Sequence, residues 1–102
     1  MQIPFIRHSP LVRSEIRKVA LCGGSGAFLL DIAKSSQADI FLTSDIKYHD
    51  FFEAQDDIIL ADIGHHESEQ FAIGWIYSLL NEKFPNFALL ISENNSNPVN
   101  YF

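Results

Sequence analysis

The chain is short of cysteine, of basic residues and of long apolar runs, and each shortage excludes something. Cys22 is its one cysteine, so no disulfide closes within the chain, which fits a reducing cytoplasm. Seven Lys and Arg stand against thirteen Asp and Glu, a net charge of −6. Phosphate backbones want clustered cations, so nucleic acid is not an expected partner. No stretch is long and apolar enough to cross a bilayer, and Met1–His8 lacks the apolar segment of a secretory signal. Neither a membrane nor a secretory route is expected. What is present is an ordinary globular composition, 47% hydrophobic over 102 residues, which predicts one domain.

Residues 1–15, with Pro4, Pro10, Arg7 and Arg13, read as an extended lead-in, an edge strand or a linker. Regular structure is expected over residues 16–102 as a single α/β domain. Val19-Ala20-Leu21-Cys22 is a short apolar run of the kind buried in parallel sheets. Gly23-Gly24-Ser25-Gly26 follows, and then a helical pattern from Ala27 to Ala33. Such a turn either serves positive φ angles or bares backbone N–H groups to a phosphate or carboxylate. It carries no Lys-Ser/Thr as in a P-loop, and it lacks the third glycine of a dinucleotide fingerprint. Ala38–Thr43 is a second strand. Ser44-Asp45 reads as a capped helix start, with His49 one turn on and on the face of Asp45. His49 is open to three roles: a ligand, a proton-transfer group or a solvated side chain.

The third unit is the richest. Ile58–Ile63 is a buried strand, Gly64 a turn, and His65 opens a helix expected to run to Pro85. A fourth strand is expected over Phe87–Ser92 and an irregular tail over Glu93–Phe102. The pattern is β-α-β-α-β-α-β, an α/β fold with a mostly parallel or mixed sheet and helices on its faces. In such folds ligands bind at the carboxyl ends of strands, where His65 and Glu69 fall. Four residues apart, they share one helix face, and that face continues into Ala72, Ile73, Ile76 and Leu80. Two readings stay open on spacing alone. The pair is either half of a metal site, or Glu67 and Glu69 complement the helix dipole while His65 is a junction residue. His66-Glu67-Ser68-Glu69-Gln70 approaches the zincin signature, but Gln70 stands where its second His must be, which excludes that protease class.

Three segments together, Val19–Gly26, Leu42–Asp50 and Asp62–Glu69, with the ending Asn97-Pro98-Val99, resemble the carboxyl-terminal half of the NIF-three-like proteins. That family is also described as type 2 GTP cyclohydrolase I. The resemblance implies a divalent metal pair (Zn, Fe, Mn or Ni), with His65 and Glu69 as two of its ligands and the others on an amino-terminal half that this chain does not show. It implies a metal-dependent hydrolase acting on a nucleotide or pterin-like small molecule, with Gly24, Ser25, Gly26, Ser44, Asp45 and His49 around the substrate. The competing implication is a non-enzymatic metal-binding module of a ring-like oligomer. Without its other half the chain is expected to self-associate and to hold metal weakly.

Overall fold

A computed structural model of the protein describes residue 3 and residues 5–102. Its sheet has four strands: β1 (Arg7–His8), β2 (Val19–Ser25), β3 (Ile40–Ser44) and β4 (Ile59–Asp62), in the order β1-β4-β3-β2. Strands β2, β3 and β4 are parallel, and β1 runs antiparallel to β4, with Arg7 opposite Asp62 and His8 opposite Ala61. The sheet is mixed, and the strands expected near Val19, Phe41 and Leu60 are all present. The expected fourth strand over Phe87–Ser92 is not: that segment follows a turn without joining the sheet. The fourth strand is instead Arg7–His8. It is extended by Ser9, whose N–H donates to the Leu60 carbonyl while its hydroxyl accepts the Leu60 N–H, each at 2.9 Å.

The helices are α1 (Leu30–Ser35), preceded by a 3₁₀ turn at Ala27–Leu29, then α2 (Asp50–Ala54), α3 (His65–Glu69) and α4 (Ala72–Lys83). Both crossovers step the same way across the sheet. Right-handed connections then place α1 and α2 on one face. The core agrees: Leu30, Ala33 and Ala54 cluster with Phe41, Leu60, Ala38, Ile46 and Ile58, and Ala20 and Cys22 flank them. On the opposite face Val19 and Leu21 are 54% and 64% exposed.

The long helix expected from His65 to Pro85 is two helices. At the break the Gln70 side-chain amide donates to the Glu67 carbonyl at 3.2 Å, the acceptor an uninterrupted helix would offer to Phe71. The expected packing of the stripe on the sheet is absent too. No residue of α4 is buried, and Ile73, Trp75 and Ile76 are largely exposed. Amphipathic spacing shows which face is apolar, but not what covers it.

Candidate functional site

The carboxyl ends of β2, β3 and β4 bring the polar segments together. Beyond β4, Gly64 turns the chain at φ +83° and α3 begins. Beyond β3, Asp45 adopts φ +56°, a left-handed conformation that aspartate tolerates better than most residues. That turn aims its carboxylate at α3, where Oδ2 lies 2.6 Å from His65 Nδ1. On the other side of the ring, Nε2 lies 3.3 Å from Glu69 Oε2, one helical turn away. Asp45, His65 and Glu69 thus form a line with the imidazole in the middle. The Asp45 hydrogen bond and charge raise the His65 pKa above its ordinary value, and Glu69 adds to the effect.

The glycines at the end of β2, where its register with β3 shifts between Leu21 and Ser25, lie beside this line. The Gly24 N–H donates to Ser68 Oγ at 2.8 Å, and the Ser68 hydroxyl donates to the His65 carbonyl at 2.8 Å. Gly24 sits at φ +64°. A Cβ there would lie 2.4 Å from Glu69 Oε1 and 3.4 Å from His65 Nε2. The backbone favours glycine here, and any Cβ would displace the Glu69 carboxylate from its place beside His65. Gly26 serves packing: a Cβ there would meet Thr43 Oγ1 at 2.5 Å and Cys22 Sγ at 2.7 Å.

Not every residue singled out from the sequence joins this group. Ser25 is exposed and pairs across the sheet with Ser44. Ser44 is fully buried, with an unpartnered Oγ, and is off the cleft wall. Ser44-Asp45 does not cap a helix, because α2 starts only at Asp50. His49 therefore does not share a helix face with Asp45. It is exposed, with its ring against Tyr48. His65 and Glu69 are not buried on an inward stripe either: their side chains are 50% and 53% exposed, because α3 ends before the apolar face of α4 begins.

Sequence reasoning passed over two buried carboxylates. Asp62 is 7% exposed. It accepts the Arg7 guanidinium, the Ile46 N–H at 3.2 Å and the Gly64 N–H at 3.1 Å, so one side chain ties β1, the β3–α2 loop and the turn before α3. Glu67, equally buried, accepts the Tyr101 hydroxyl at 3.0 Å, which pushes the phenol pKa up. Both carboxylates line a cleft of about 860 Å³, together with Asp45, His65, His66, Glu69, Phe5 and the tail residues Ser96–Val99 and Tyr101. Their partners lie 34 and 55 residues away, beyond the reach of any local pattern.

The family model for Duf34/NIF3 (NGG1p interacting factor 3) matches residues 1–98. This chain belongs to the Duf34/NIF3 family. Among its relatives in the family are two proteins named GTP cyclohydrolase 1 type 2 homolog. The one from Staphylococcus epidermidis is 35% identical over 109 residues, covering 99% of this chain and 29% of the relative. The one from Campylobacter jejuni is 34% identical over 104 residues, covering 100% of this chain and 40% of the relative. The crystal structure of a Staphylococcus aureus protein matches with a TM-score of 0.79 at 28% identity, over 98% of this chain and 34% of that one. The chain thus spans well under half the length of these family members. No described helix is long and apolar enough to cross a membrane.

The donors fit a divalent cation. An imidazole nitrogen and a carboxylate oxygen 3.3 Å apart are of the type and proximity that divalent transition metals take, and Gly24 keeps the space beside them clear. Asp45 occupies the position from which an outer carboxylate orients a ligating imidazole and sets its tautomer. Among the described residues no group of three metal-type side chains is gathered at one point.

Proposed function

We propose that this chain carries the His65–Glu69 portion of a divalent-metal site in a metal-dependent hydrolase of the type 2 GTP cyclohydrolase I kind, acting in the cytoplasm on a nucleotide or pterin-like small molecule. The observation that carries the reading is the line Asp45–His65–Glu69, with Gly24 holding the adjacent space open. The names of the two relatives support the reaction class. The remaining ligands come from an amino-terminal half in the longer protein. When bound, the metal pair supplies an acidified water near neutral pH. The residues of this chain orient and bind: Asp45 fixes the His65 tautomer, Glu69 contributes a carboxylate, and the turn at Gly24 leaves room for substrate.

Glu69→Gln separates this reading from a purely structural one. Glu69 is half-exposed and outside the core, so the melting temperature of the chain should stay within about 2 °C. That is the shift expected of a surface change of a few tenths of a kcal/mol in a domain of this size. In the longer protein the same change should abolish metal-dependent hydrolysis. A clear loss of stability with turnover intact would leave Glu69 a purely structural partner of His65.

A second reading, a non-enzymatic subunit of an oligomer, has its own observation. Val19 and Leu21 on the open sheet face, Ile73, Trp75 and Ile76 on α4, and Leu90 beyond it leave extensive apolar surface exposed, and such patches mark partner surfaces. A second copy of the chain is the occupant proposed here, because symmetric dimers are the commonest assembly. Sedimentation at high micromolar concentration should show dimers or larger species, and a strict monomer would count against it.

A further inference from the structure

Residues beyond α4 are held in an unusual way. Among the described residues no backbone–backbone hydrogen bond reaches past Phe87. The tail folds on itself instead. Asn97 N–H donates to Asn95 Oδ1 at 3.0 Å and Val99 N–H to Asn97 Oδ1 at 3.1 Å, side-chain turns that need no help from the sheet. Among the described residues one hydrogen bond joins this stretch to the body of the protein: Tyr101 to Glu67. The Tyr101 ring also rests against Phe5, with centroids 5.7 Å apart.

The same stretch is a wall of the cleft. Ser96, Asn97, Pro98, Val99 and Tyr101 line the same cleft as Asp45, His65 and Glu69. A segment with few buried contacts and a single anchor opens at low free-energy cost. The anchor itself is well made. Glu67 is 93% buried (7% exposed), and a buried carboxylate is costly unless it accepts a hydrogen bond. It lies against Gly64, where a Cβ would fall 2.2 Å from Glu67 Oε2 and displace the carboxylate. The fold thus sets a charged acceptor beside the candidate metal donors and gives it a donor from the tail.

We propose that residues 93–102 are a strap across the mouth of the cleft, latched by the Glu67–Tyr101 hydrogen bond, and that ligands enter and leave beside His65 when Tyr101 lets go. The strap stands on the tail's own contacts and does not depend on whether a metal is held. A hydrogen bond to a charged acceptor biases such an equilibrium by roughly ten- to a hundredfold.

Backbone ¹⁵N relaxation tests it. In the parent chain the Asn97 and Val99 amides should have order parameters near ~0.85, and Tyr101→Phe, which keeps the ring against Phe5, should drop them below ~0.6. The amides of β3 should not change. Glu67→Gln should loosen the strap less, because the amide oxygen still accepts. The double variant Tyr101→Phe/Glu67→Gln should be no looser than Tyr101→Phe alone, since both changes act on one bond. Three results would overturn the proposal: tail amides already mobile in the parent, amides left rigid by Tyr101→Phe, or additive loosening in the double variant.

Discussion

Replacing Asp62 with Ala should destabilise the chain by about 3–5 kcal/mol, the range for breaking a buried charge pair by removing one partner. Three donors converge on this carboxylate: the Arg7 guanidinium and the N–H groups of Ile46 and Gly64. Truncation leaves the buried Ile46 N–H and the half-buried Gly64 N–H without this acceptor and releases Arg7 of β1. Arg7 is 64% exposed and can turn to water, so the lower end of the range is the better expectation. Domains have roughly 5–15 kcal/mol in hand, and one this small should show the loss as a melting temperature lower by about 10 °C or more. Asp62→Asn keeps an acceptor and should cost less. Thermal unfolding followed by circular dichroism checks both. Equal and small losses for the two variants would mean that Asp62 does not join β1 to the site.

The second large effect concerns Asp45. Its hydrogen bond to His65 Nδ1 raises the imidazole pKa. The sign for stability follows from linkage. A raised imidazole contributes stability that is complete below the unfolded value of about 6.5 and is lost as pH rises through the higher folded value. Metal binding at Nε2 opposes the protonated state, so affinity should rise with pH over the same window. Asp45→Asn should lower the His65 pKa toward the ordinary value and weaken metal binding in the longer protein by roughly 10–100-fold, the usual penalty for losing an outer-shell partner. Proton NMR titration of the imidazole reads the first change and calorimetry the second. An unmoved His65 pKa in Asp45→Asn would show that the carboxylate does not hold the ring.

The α/β fold and the meeting of three polar segments were legible in the sequence because both rest on local signals. Apolar runs at Val19, Phe41 and Leu60, each followed by glycine or polar residues and a helical pattern, place the turns at one end of a parallel sheet. What was not legible depends on partners distant in sequence. Phe87–Ser92 has the residues of a strand, but which segment takes an edge is not a local property: β4 is paired by Arg7–His8, a segment too short to show any period, and the outer edge of β2 has no partner among the described residues. The stripe of α4 predicts an apolar face and says nothing of what lies against it. Helical spacing carried through residues 45–49 puts His49 beside Asp45, but the chain is still irregular there and α2 begins only at Asp50. Glu67 and Asp62 looked like helix and strand ends. Their burial becomes evident only when Tyr101 and Arg7 arrive from the two ends of the chain.

The most direct test of the site is a ¹⁵N NMR spectrum of the imidazole nitrogens as Zn²⁺ is added to this chain. With only two donors gathered, binding should be weak, in fast exchange and without a sharp stoichiometric end point. His65 Nε2 should be the first ring nitrogen to shift, Nδ1 should stay bonded to Asp45, and His8 and His49 should not respond. Ring signals of His65 that stay in place while another histidine shifts, or a shift of His65 that persists in full in Glu69→Gln, would contradict a metal site built on His65 and Glu69.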